Sequence, residues 1–199
     1  MSWTESLHRL AAQLTDHRPS LYPTEELDDL NDIKIGKLST SGFQGEGLTY
    51  ALAVKSGLHL FNESLDRSHT LSQDIHNPTG SFWHGIMHRM EGDYSNAKYW
   101  FRMVHSHPIY PVLAEQAAAA IQEADLDEIR SSALRAQLAK LCAGGAWDPY
   151  LFVDLVEQQV TRARDEAGEA LLMHIQWLEM RLLLEYSYTQ SGGGGSLLG

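Results

Sequence analysis

Cysteine is nearly absent from this chain. A single Cys142 excludes an internal disulfide and fits a reducing compartment. Long apolar runs are missing too: residues 109–113 and 182–184 fall far short of the roughly 20 residues that cross a bilayer. The opening Met1-Ser2-Trp3-Thr4-Glu5 shows no basic segment followed by an apolar run, so no secretory signal is expected. Basic residues are scarce, 15 against 26 acidic, giving a formal net charge of −11. A surface of that sign repels phosphate backbones, and no basic cluster offsets it. Neither nucleic acid nor membrane is an expected partner, and the expected location is cytoplasmic. The sequence also lacks a glycine-rich phosphate loop, a nucleophile elbow and a cysteine cluster. Cys142 falls near a helix end, where the carbonyl dipole discourages a thiolate, and is read as inert.

What is present is helical periodicity. Hydrophobic residues make up 43% and charged residues 21% of 199 positions, the composition of a globular chain long enough to bury a core. No segment alternates polar and apolar with period two, so the fold class is all-α: one compact domain over residues 1–189, about seven or eight helices, and a flexible glycine-rich tail over 190–199. Histidine is in surplus. Protonating all ten would bring the net charge to about −1, which makes solubility and any interface sensitive to pH near 6.5.

Ser2 and Glu5 have capping-box spacing, and Trp3, Leu7, Leu10 and Leu14 form the first stripe. A short helix is expected from Thr24 through Leu27 and Leu30, then a surface loop over 34–47. The pattern Leu48, Leu52, Leu58, Phe61, Leu65 predicts a helix broken near Gly57. His69 and His76 fall in a polar stretch read as loop, Pro78 and Gly80 read as a stop, and Ser81 as the next N-cap. A helical hairpin over 82–107 turns at Gly92. Helices over 112–124 and 127–142, one starting at Asp148-Pro149, and one over 167–187 complete the chain.

The positions Gly85, His88, Gly92, Tyr94, Ala97, Phe101, Val104 and Pro108 resemble one tetratricopeptide repeat over about residues 81–108. That resemblance implies two antiparallel helices in close approach. It departs from the repeat at His84 and His88, which stand where leucine and tyrosine are usual, and at Pro108, one residue early. With no second copy in the chain, no solenoid is implied. The block from Phe82 to Pro108 also resembles a family of small helical proteins of bacteria and fungi to which no activity is attached.

The hairpin concentrates the side chains with chemistry. His84, His88 and Glu91, at i, i+4, i+7, share a stripe about 60° wide. Two imidazoles and a carboxylate directed at one point suit Zn²⁺ or Fe²⁺. His59 and Glu63 have i, i+4 spacing on the preceding helix and extend the metal set if that helix faces the hairpin. The plain alternative makes His84 and His88 structural, bonded to Asn96, Tyr99 or a backbone carbonyl, with His59 and Glu63 an exposed pair. Arg89, Lys98 and Arg102 are cations in an acidic chain, suited to a carboxylate or phosphate ligand, to solvent, or to pairing with Glu91, Asp93 or acidic residues elsewhere. With Asn96, Tyr99 and Trp100 they form a ligand or interface set. Two functions follow: a non-catalytic helical scaffold that engages a protein, a peptide or a second copy, or a metal- or small-molecule-binding protein, extending to a metal-dependent enzyme, built on the His/Glu set.

Overall fold

Residues 3–141 and 143–199 are described by a computed structural model, in which they form ten α-helices and no strand. The proposed Ser2 cap and Cys142 lie outside the described residues. The helices are α1 Trp3–Thr15, α2 Asp29–Gly36, α3 Gly45–Phe61, α4 Leu65–Ser72, α5 Pro78–Glu91, α6 Tyr94–Val104, α7 Tyr110–Glu123, α8 Ser132–Leu141, α9 Pro149–Gln158 and α10 Glu166–Gln190. None is long and apolar enough to cross a membrane.

Ten helices replace the seven or eight expected, and the differences have local causes. Helix α2 starts only at Asp29, because Asp28 caps it by accepting from the Leu30 N–H at 2.8 Å. The loop expected over 34–47 shrinks at both ends, into α2 and into α3. Helix α3 runs through Gly57 without a break. That glycine serves a close approach instead: a Cβ there would stand 2.5 Å from the Trp83 ring. The polar stretch after it is helix α4, whose buried face is made of Ser68 and Ser72. Asn77, not Ser81, caps α5 by accepting from the Gly80 N–H at 2.8 Å, with Pro78 in the first turn. Helix α8 starts at Ser132, after a 3-10 turn over 126–128.

Two buried clusters hold the fold. One gathers side chains of α1, α3, α5, α6 and the second half of α10; the other gathers α7, α8, α9 and the first half of α10. Helix α10 serves both, with Leu172 and Ile175 in one and Met180, Leu183 and Leu184 in the other. Gln176 and Glu179 fall at the changeover and are fully buried. Residues 190–199, expected as a flexible tail, fold back on α1 and α10. Leu197 is buried, its N–H donates to Glu185, and its carbonyl lies 3.2 Å from His8 Nδ1.

Helices α5 and α6 are antiparallel. Phe82 meets Phe101, His84 meets Trp100 and His88 meets Asn96, so partner numbers fall along α6 as they rise along α5. Gly92 makes the turn at φ +85°, a left-handed conformation that favours glycine. Gly85 lets Phe101 approach to 3.2 Å of where a Cβ would stand.

Candidate metal centre

One turn of α5 separates His84 from His88, so both point to the same side, and α4 packs across that side. Helix α4 contributes His69. The three rings lie 4.6 Å (His84–His88), 4.7 Å (His69–His84) and 5.7 Å (His69–His88) apart between centroids. One ligand nitrogen of each lies within 4.8 Å of the other two. Donors around a tetrahedral Zn²⁺ at about 2.0–2.1 Å stand roughly 3.3 Å apart, so rotation of the imidazoles closes the set. His84 and His88 are buried and His69 half-buried, which leaves a way in from solvent.

Hydrogen bonds select which nitrogens carry lone pairs. The Ser72 hydroxyl lies 2.9 Å from the Ser68 carbonyl, which can only accept, and 2.8 Å from His84 Nδ1. When the Ser72 proton goes to that carbonyl, its oxygen accepts from His84 Nδ1–H and the lone pair of His84 is on Nε2. The same logic holds at His88. Its Nδ1 lies against the Glu91 carboxylate, which can only accept, and Asn96 Nδ2 donates to Nε2 at 3.0 Å. In this arrangement Nδ1 of each imidazole is backed by an oxygen, the Ser72 hydroxyl for His84 and the Glu91 carboxylate for His88, and the Asn96 amide covers His88 Nε2. Such partners orient metal-bound histidine and strengthen its basicity. Burial, followed by the neighbouring charges of His88 and His69, holds His84 down at a pKa of about 3, so it is neutral at physiological pH. Glu91 and Asp93 flank His88 on the exposed side, and these three form a second group of possible donors. Trp100 tilts against His84 at 4.2 Å between centroids.

Of the expected metal set, His84 and His88 come together, and Glu91 joins His88 alone. His59 and Glu63 take other partners. His59 Nδ1 lies 2.9 Å from Asp32, whose same oxygen accepts from Asn62 and Ser64, a network that ties α2 to the end of α3. Glu63 accepts from His17 and from the Ser20 N–H, both at 2.8 Å. His69, read as a loop residue, takes the place expected for that pair.

The expected ligand set also separates. Asn96 bonds His88 and Trp100 covers His84, both beside the imidazoles. Lys98 pairs with Asp154 on α9. Tyr99 and Arg102 are exposed. Arg89 is neither solvated nor paired with Glu91 or Asp93: it is fully buried and bonded to Glu179 and Gln176 of α10, with the Phe152 ring 4.5 Å away. Its position was readable as the third member of the apolar series Phe82, Ile86, Arg89. Comparison of the chain with protein-family models, curated proteins and solved structures finds no match.

Proposed function

We propose that this chain is a metal-binding helical protein that holds a borderline divalent cation, Zn²⁺ or Fe²⁺, through His69, His84 and His88. The observation that carries the reading is the grouping of three imidazoles, one ring nitrogen of each within 4.8 Å of the other two, with an ion taking the place of the Asn96 amide at His88 Nε2. Neutral imidazole nitrogen is the donor such ions prefer. Three protein nitrogens leave a fourth position of a tetrahedral ion to water, to Glu91 or to a small ligand. The single cysteine fits a cytoplasmic setting.

Calorimetric titration of ZnCl₂ into tag-free, chelator-stripped protein tests this. One ion per chain is expected, with affinity lowered at least about tenfold by His69→Ala, His84→Ala or His88→Ala, losses of the size seen when a metal shell is disturbed. His69→Ala is the cleanest of these because that side chain is only half-buried. His59→Ala and Glu63→Gln are expected to leave binding unchanged. No saturable binding, or equal loss from His59→Ala, contradicts the reading.

A second reading, a scaffold for a protein, a peptide or a second copy on a tetratricopeptide-like hairpin, is favoured by three exposed apolar side chains in and before α2. Leu27, Leu30 and Ile33 are 46%, 60% and 52% exposed. Sedimentation across a concentration series tests self-association. A strict monomer at every concentration contradicts that form of the reading.

A further inference from the structure

Residues 192–199 fold back on α1 and α10 and are held there largely through main chain. The Leu197 N–H donates to the two oxygens of Glu185, at 2.9 and 3.0 Å, and the Leu198 N–H to one of them at 3.2 Å. The Leu197 carbonyl faces His8 Nδ1 at 3.2 Å, and the Tyr188 hydroxyl donates to the Gly194 carbonyl at 3.4 Å. Side chains add an anchor: Leu197 is buried in the first hydrophobic cluster, and Leu198 packs against it. Trp3 of α1 stacks on the Tyr188 ring of α10, with centroids 6.5 Å apart. None of these groups belongs to the imidazole cluster or to the exposed apolar side chains of α2.

The link that carries this anchor is weakly held. Gly192, Gly194 and Gly195 have no neighbour within 4 Å of where a Cβ would stand, and Gly192 and Gly195 take φ of +95° and +74°. Glycine loses more conformational freedom on ordering than any other residue, so four in succession oppose docking. Gly193 alone among them is fitted, because a Cβ there would overlap the Tyr188 ring. A few main-chain bonds and one leucine thus hold a tether that gains much entropy on release. Segments balanced in this way are the ones that open locally.

We propose that this seat on α1 and α10 is a peptide-docking site held shut by the chain's own residues 192–199, and that it takes a partner segment of the same chemistry: paired leucines behind glycine or serine. The segment already seated there is what identifies the occupant. Recognition through main-chain bonds, with a socket for one side chain, is a recurring mode of peptide binding. Glu185 needs two consecutive N–H groups, which excludes proline at either leucine position. The chain's own segment is then an intramolecular competitor, present at the millimolar effective concentration of a short flexible tether.

The test uses the full chain, ¹⁵N-labelled. Leu197→Ser with Leu198→Ser removes the anchor and keeps every side chain of the seat. The probe is the capped hexapeptide Gly-Gly-Ser-Leu-Leu-Gly, and Gly-Gly-Ser-Ser-Ser-Gly is its control. The expected result is a saturable shift of the Glu185 and Tyr188 amides in the double variant, with the wild-type chain binding at least about tenfold more weakly because its own segment competes. Adding Glu185→Ala to the double variant is expected to weaken the peptide at least about tenfold, the worth of one charge-assisted hydrogen bond, with helical circular dichroism retained. No saturable shift in the double variant, equal affinity in the wild type, an equal response to the serine peptide, or undiminished affinity with Glu185→Ala overturns the proposal. If the double variant loses its helical signal, Gly193→Ala opens the seat by a second route, through overlap with Tyr188, and the same comparison decides.

Discussion

The guanidinium of Arg89 and the carboxylate of Glu179 form an ion pair in which neither side chain reaches solvent. The pair sits where α10 passes from one hydrophobic cluster to the other. Phe101 of the first and Phe152 of the second lie 5.8 and 4.5 Å from the guanidinium carbon. Burial pushes the Glu179 carboxyl up, against the pull of Arg89. Nε and Nη1 of Arg89 and Oε1 of Glu179 have no protein partner. A pair so incompletely bonded specifies how the two clusters dock more than it stabilises them.

Removing one partner leaves the other charge stranded. Arg89→Met is therefore expected to cost about 3–5 kcal/mol, whereas Arg89→Met with Glu179→Leu recovers most of that loss, as apolar replacements of buried pairs do. Urea unfolding of the three proteins measures it. A double variant no more stable than Arg89→Met alone contradicts this account of the pair.

Gly57 faces Trp83, whose Nε1–H donates to Ser187 at 3.2 Å. In an open helix, glycine to alanine stabilises by about 1 kcal/mol through propensity. Here the added methyl meets a fixed indole, so Gly57→Ala is expected to destabilise by about 1–3 kcal/mol. The sign of the change in urea midpoint decides between the two.

Acid should destabilise the protein through His107. Its Nδ1 accepts from the Ile109 N–H at 3.4 Å and its Nε2 lies 3.1 Å from the Thr79 hydroxyl, with the Phe82, Tyr110 and Tyr186 rings around it. Burial lowers its pKa to about 4. Below about 6.5 the unfolded chain binds a proton that the folded chain refuses, so stability present above that pH is lost progressively down to about 4. The loss expected from this one group is about 3 kcal/mol. In metal-free protein, His107→Gln should flatten the decline of urea-measured stability across that window. An unchanged slope contradicts the assignment.

Leu197 is 3% exposed, and the Leu197 and Leu198 N–H groups both donate to Glu185. Leu197→Ala is expected to cost about 2 kcal/mol, the low end for a buried leucine. Hydrogen exchange offers an independent check: amides of 197 and 198 should be protected in the wild type and exchange freely in Glu185→Ala.

Much of the helical layout was legible because stripes such as Leu7, Leu10, Leu14 and the Asp148-Pro149 start carry local signals. The all-helical class and the Gly92 turn follow from the same kind of evidence. Helix α4 was not legible, since its inward face is Ser68 and Ser72, which register as polar in any periodicity. Without α4, His69 reads as a loop residue and the imidazole set lacks its third member. His59 and Glu63 carried a valid spacing, but the partners they take, Asp32 on α2 and His17 with Ser20 before it, are chosen by tertiary contact. Arg89 pairs with an acidic residue elsewhere in the chain, one of the partners its charge suggests, but which one is set by tertiary contact. A charge in an apolar stripe signals a buried partner, and nothing local to it names Glu179, ninety residues away.

The central claim is that His69, His84 and His88 bind one ion through ring nitrogen. Zinc K-edge X-ray absorption on the protein loaded with one equivalent of Zn²⁺ tests it most directly. The account predicts a first shell with three imidazole nitrogens at about 2.0–2.1 Å and the outer-shell scattering of their rings, falling to two in His69→Ala. A sulfur-containing or all-oxygen shell, or an imidazole count unmoved by His69→Ala, contradicts it.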